Sequence, residues 1–148
     1  MTPGEVAAAG PRAAAHAGAL RDAVDAVYDG YERHYGAPQR GGELADRDLA
    51  LLQGDRRYAD GLAALAALGD LPAIAELADA ISLCAQAHAA GDPDLAEAVW
   101  AAAATAVGWG ESPELVGAKS RARAGEPGAG DALRDAADRV RCPSSPHG

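Results

Sequence analysis

Three groups of side chains have the types and spacing to do chemistry. Asp22, Asp25 and Asp29 fall at i, i+3 and i+7, so on a helix their carboxylates share a face. Such a face suits Mg²⁺, which takes a few oxygens and keeps several waters. The competing reading is a solvated stripe opposite an apolar one. Asp55 falls four residues after Leu51 and three before Tyr58, inside an apolar stripe, where an acid must find a partner. It is either a carboxylate aimed into a cavity or one bonded to a helix end or a tyrosine. A helix break at Gly54 would instead return it to water. Cys84 and His88 are spaced i, i+4 and could offer two soft ligands side by side. A zinc site takes at least three protein ligands, and neither His16 nor His34 completes a motif. A buried thiol and a partly buried ring are the simpler reading. The chain has no glycine-rich phosphate loop, no G-x-S-x-G, no paired C-x-x-C and no H-E-x-x-H.

The elements that must position these groups follow from apolar period and punctuation. Residues 1–10 read as a disordered leader. Pro11 suits a first helical turn, and the first helix runs over about 12–35, with Leu20, Val24, Val27, Tyr31 and Tyr35 on one face. Residues 36–42 (GAPQRGG) form a loop. Asp46 N-caps a second helix that ends at Leu68 and turns Leu51, Tyr58, Leu62 and Leu65 inward. Gly69-Asp70, with Pro72 in the next turn, separates it from a third helix carrying Ile74, Leu77, Ile81, Cys84 and His88 on one face. Gly91-Asp92-Pro93 repeats that chemistry before a fourth helix over 93–107, with Leu95, Val99, Ala102 and Ala106 inward. The domain thus spans 11–110. Residues 111–141 hold short peripheral helices divided by a Gly/Pro linker at 125–130, and 142–148 form a tail.

Composition narrows the function classes. Among 148 residues there is no Phe, and only two Trp and four Tyr; most of the apolar content is alanine. Alanine removes little area from water, so the core should be thin. Small side chains let helices approach to about 8 Å. A formal net charge of −9 supplies no basic surplus for a phosphate backbone, which argues against nucleic acid. No apolar run reaches the ~20 residues of a membrane span. Two cysteines without paired spacing suit a reduced, cytoplasmic setting.

The stretch Leu51-Leu52-Gln53-Gly54-Asp55, followed by alternating Ala and Leu through Leu68-Gly69-Asp70 to Leu83, resembles the helices of all-α polyprenyl diphosphate synthases. That family carries an L-L-x-G-D stretch opening a long helix, preceded by a metal-binding D-D-x-x-D and an R-R-G element. Arg21-Asp22-Ala23-Val24-Asp25 keeps two of the three aspartates, and Gln39-Arg40-Gly41 matches the second element in part. Arg21 stands at the first aspartate. A second aspartate-rich motif has only Asp135-Ala136-Ala137-Asp138 as a counterpart, and the chain is shorter than such a catalytic fold requires. The resemblance covers residues 20–83 and implies a shortened, non-catalytic relative, of the kind that serves as the small subunit of a two-component synthase. Under the enzymatic alternative, Asp22, Asp25 and Asp55 would hold Mg²⁺ and Arg40 would meet an isoprenoid diphosphate. Leu83, Gly91-Asp92, Ala96 and Ala103 also fit one tetratricopeptide-type helix hairpin.

The expected architecture is therefore all-α: a compact bundle of about four main helices with one or two short C-terminal helices. The expected function is a helical interaction domain without a cofactor, a homo-oligomer or the subunit of a protein partner. Its surface would be the alanine-rich faces of the third and fourth helices, with Trp100 and Trp109 either anchoring it or filling the core.

Overall fold

A computed structural model describes residues 1–35 and 44–143. It is all-helical, with no strand among the described residues. Seven α-helices follow in order: α1 (Pro3–Ala8), α2 (Ala17–Tyr35), α3 (Leu44–Leu68), α4 (Leu71–Ala89), α5 (Pro93–Trp109), α6 (Pro113–Arg123) and α7 (Ala129–Arg141), with a 3-10 turn at Pro11–Ala13. Among the described residues the count exceeds the expected four plus one or two by α1, because the N-terminal segment packs as a helix. The loop expected at 36–42 and most of the tail expected at 142–148 lie outside the described residues.

The expected disordered leader is instead helix α1. Thr2 Oγ1 accepts from the Glu5 N–H at 3.1 Å, and the Thr2 N–H donates to Glu5 Oε2 at 2.8 Å, a reciprocal capping box that satisfies two free donors. Pro3 occupies the first turn, where a missing N–H costs nothing. Gly4 and Ala7 are buried, so α1 lies close against α2 and α5. The first main helix begins at Ala17 rather than 12, since the 3-10 turn intervenes.

Helix α5 is the central rod. From Ala96 to Gly108 only Glu97 and Ala101 escape burial, and α1, α4 and α7 pack around it. Its small side chains allow this many close neighbours. Helix α7 is not peripheral: Leu133 and Ala137 are fully buried against the core. The expected linker at 125–130 is a tight turn. Gly125 and Gly128 adopt φ of 70° and 79°, a left-handed backbone that glycine takes without steric cost. The Glu126 N–H donates to the Arg121 carbonyl at 3.1 Å, closing α6.

Helices α2 and α3 form the other large contact. Glycines make it close. A Cβ on Gly30 would lie 2.7 Å from the Gly54 carbonyl oxygen, and one on Gly61 would lie 2.7 Å from that of Ala23. Gly54 therefore does not break the helix; it lets the two backbones touch. Helix α3 starts at Leu44, so Asp46 sits in its first turn instead of capping it. Punctuation between α3, α4 and α5 is as expected. Asp70 Oδ1 accepts from the Ala73 N–H at 3.1 Å and Asp92 Oδ1 from the Leu95 N–H at 3.0 Å.

Candidate functional site

The carboxylates expected to gather a metal ion are separately engaged. Asp25 Oδ1 accepts from the Gly4 N–H at 2.7 Å and Asp25 Oδ2 from the Thr2 hydroxyl at 3.0 Å, which fastens α1 to α2. Asp22 is exposed and pairs with Arg21 at 3.2 Å. Asp29 accepts from Arg33 at 3.0 Å and from Arg57 of α3 at 2.9 Å. Burial works against that charge, but the hydrogen bonds from Arg33 and Arg57 outweigh it and hold the Asp29 pKa low.

Asp55 is not on a buried face. The inward seam of α3 is Gly54, Tyr58, Gly61 and Leu65, and one residue turns a helix by about 100°. Asp55 is thus rotated outward, 67% exposed, with its Oδ1 3.0 Å from His34 Nε2. Leu51, expected inward, falls in line with that seam near the start of α3 but is 44% exposed. Asp25 and His34 stand nine residues apart on α2, about 13 Å along the axis, so Asp22 and Asp25 do not converge with Asp55. Among the described residues no group of three or more His, Cys, Asp or Glu side chains is placed to hold a metal ion. Arg40 lies outside the described residues.

Trp100 fills the core. It is 2% exposed and stacks on Tyr28 with ring centres 5.1 Å apart. Burying it there removes the anchor expected for an interface on α5; Trp109 is half-buried at the C-terminal end of that helix. Cys84 is enclosed, and burial pushes its thiol up to about 12, far from a reactive thiolate. His88 is not its metal partner. It shares a hydrogen bond with the Tyr31 hydroxyl at 2.9 Å and stacks on Tyr35 at 4.2 Å. The two residues point into different surroundings, an apolar core and an aromatic rim.

Two polar assemblies escaped the sequence reading. The first is a groove of about 640 Å³ along α2, lined by Asp25, Tyr28, Asp29, Glu32, Arg33 and Arg57. Burial, then repulsion from Asp29 and Glu97, raises the Glu32 pKa. Burial and the neighbouring Glu97 push Tyr28 up to about 12, so its phenol stays neutral. Both of the groove's arginines bond Asp29, which leaves a rim of mixed charge. The second assembly joins α4 to α6. Lys119 Nζ lies 2.9 Å from Glu76, 3.3 Å from Asp79 and 3.3 Å from Glu111. Lys119 is 9% exposed and Glu76 7%. Burial pulls the lysine down, but the bonds and charges of Glu76 and Asp79 outweigh it and raise its pKa. Burial raises Glu76 despite the bond from Lys119. Nearby, Arg12 binds Asp70 at 2.9 Å and the Val107 carbonyl. No pattern in the sequence announces these partners, which come from helices far apart along the chain.

One surface stands out as unused by the fold. Leu49 and Leu52 on α3 are 53% and 66% exposed, on the side of the helix turned away from α2. No helix of the described residues is long and apolar enough to cross a membrane. No protein-family model, curated protein or solved structure matches this chain.

Proposed function

We propose that this chain is a non-catalytic helical subunit, a protein-interaction module similar to a reduced polyprenyl synthase half. One observation carries the reading: Asp25, Asp29 and Asp55 are each bonded to a donor on another helix, while Asp22 stands exposed beside Arg21. Asp25 holds α1, Asp29 joins α2 to α3 through Arg57, and Asp55 meets His34 across the same contact. A Mg²⁺ cluster that draws off diphosphate needs its carboxylates converging and free. What the fold leaves unsatisfied is apolar instead, on the outer face of α3. The small subunit of a two-component assembly, or a partner-binding adaptor, uses such a face.

The test is turnover. The full chain is incubated with Mg²⁺, isopentenyl diphosphate and an allylic diphosphate, and released inorganic diphosphate is followed. The expected result is a rate equal to buffer alone. Enzyme-dependent release that disappears in Asp25→Asn overturns the reading in favour of a Mg²⁺-dependent enzyme.

A further inference from the structure

We infer that the outer face of α3 pairs two copies of this chain, antiparallel, about a two-fold axis level with residues 57 and 58. The inference rests on the interaction-module reading above and names its partner. Leu49, Leu52, Arg56, Ala59, Ala63 and Ala66 recur at alternating steps of three and four, and all six are exposed. That spacing is the seam of a helix that packs against another helix. The stripe lies on the opposite side of α3 from Gly54, Gly61 and Leu65, which meet α2 and the core. Helix α3 thus carries a second stripe of leucine and alanine around Arg56, opposite the face covered by α2.

The order of residues along the stripe selects the occupant. Its N-terminal end is large and its C-terminal end is small. In an antiparallel pair Leu49 meets Ala66 of the second copy and Leu52 meets its Ala63, so each bulky side chain faces a shallow site. A parallel pair would set leucine on leucine at one end and leave a gap at the other, with Arg56 beside Arg56. The charges agree with the antiparallel choice. Arg56 falls opposite Ala59 of the second copy, within reach of its Asp60. At present Arg56 bonds Asp60 of its own helix at 3.3 Å while 80% exposed. Symmetry makes that exchange twice. The stripe from 49 to 66 is about 26 Å long at the helical rise. A surface whose large ends match its own small ends, and whose cation matches its own anion, is complementary to itself.

The experiment is sedimentation equilibrium on the full chain from about 5 to 200 µM. A dimer is expected, and Leu49→Glu with Leu52→Glu is expected to raise its dissociation constant about a hundredfold or more. Both residues are exposed, so the thermal midpoint of the dilute variant checks that folding is intact. Arg56→Glu weakens the dimer, and adding Asp60→Arg restores it. Register is read separately in a Cys142→Ser background: Leu52→Cys with Ala63→Cys forms a disulfide between copies on mild oxidation, and Leu52→Cys alone does not. A monomer throughout the range, or a dimer indifferent to Leu49→Glu with Leu52→Glu, overturns the pairing. Either result leaves the non-catalytic reading standing, whereas diphosphate release by an intact dimer would do the reverse.

Discussion

Replacing Lys119 by methionine removes the only cation within 3.3 Å of Glu76 among the pairs described and leaves that carboxylate enclosed. Both partners are under a tenth exposed, so water screens the pair little. Breaking a buried pair from one side typically costs about 3–5 kcal/mol. At about 2–4 °C per kcal/mol for a chain of this size, the midpoint should fall by roughly 6–20 °C. The double variant Lys119→Met with Glu76→Met should recover most of the loss, because a well-packed apolar pair replaces two enclosed charges. Asp79 keeps Arg123 at 3.0 Å in both. Urea denaturation of the wild type, both single variants and the double variant closes the cycle. The pH dependence has a definite sign. In Lys119→Met, burial still raises the folded pKa of Glu76 and no cation opposes it. Its stability is therefore fully present below the unfolded value near ~4.3 and lost as pH rises through the folded one. The deficit should shrink toward pH 4. In the wild type the raised Lys119 pKa gives stability that is lost only as pH rises through that value, above ~10.4. A Lys119→Met chain within about 1 kcal/mol of wild type at pH 7 would refute the argument, since losses that small belong to surface pairs.

Other perturbations separate close packing from ordinary helix propensity. Gly61→Ala and Gly30→Ala should each destabilise by about 1–3 kcal/mol in urea, because overpacking outweighs the ~1 kcal/mol gained in helix propensity. Gly117→Ala, in α6 with nothing within 4 Å of its added Cβ, should stabilise by about 0.5–1 kcal/mol. Asp25→Ala should strip the Gly4 and Thr2 bonds and cost about 1–2 kcal/mol; hydrogen exchange should then lose protection in residues 6–9 while α3 to α7 keep theirs. Asp55→Leu should change the midpoint of thermal unfolding by no more than the effect of a surface substitution, about 0.5 kcal/mol either way.

Much of the fold was legible because helix punctuation is local. Gly69-Asp70 and Gly91-Asp92 each place a left-handed glycine before an N-cap aspartate, and both boundaries stand where that chemistry puts them. The Thr2-to-Glu5 spacing carries an equally local signal, a capping box, which the alanine-rich surroundings obscured. Helix α7 was underread because Leu133 is its only large buried side chain, and alanines supply the rest. The site was harder. The period of α3 was read from its leucines, yet the seam is set by Gly54 and Gly61, which have no side chain to mark it. That shift of frame turns Asp55 out of the stripe and into water. Partners such as Lys119 and Glu76, 43 residues apart, have no spacing rule. Nor does Asp25 with Gly4, since the donor is backbone.

On the proposed reading, Asp25, Asp29 and Asp55 serve contacts between helices rather than a metal–diphosphate centre. Isothermal titration of inorganic diphosphate into the full chain with Mg²⁺ present tests it most directly. Heats of dilution alone are expected, identical for wild type and Asp22→Asn. A saturable isotherm near one ligand per chain, abolished by Asp22→Asn or Asp55→Asn, would contradict it.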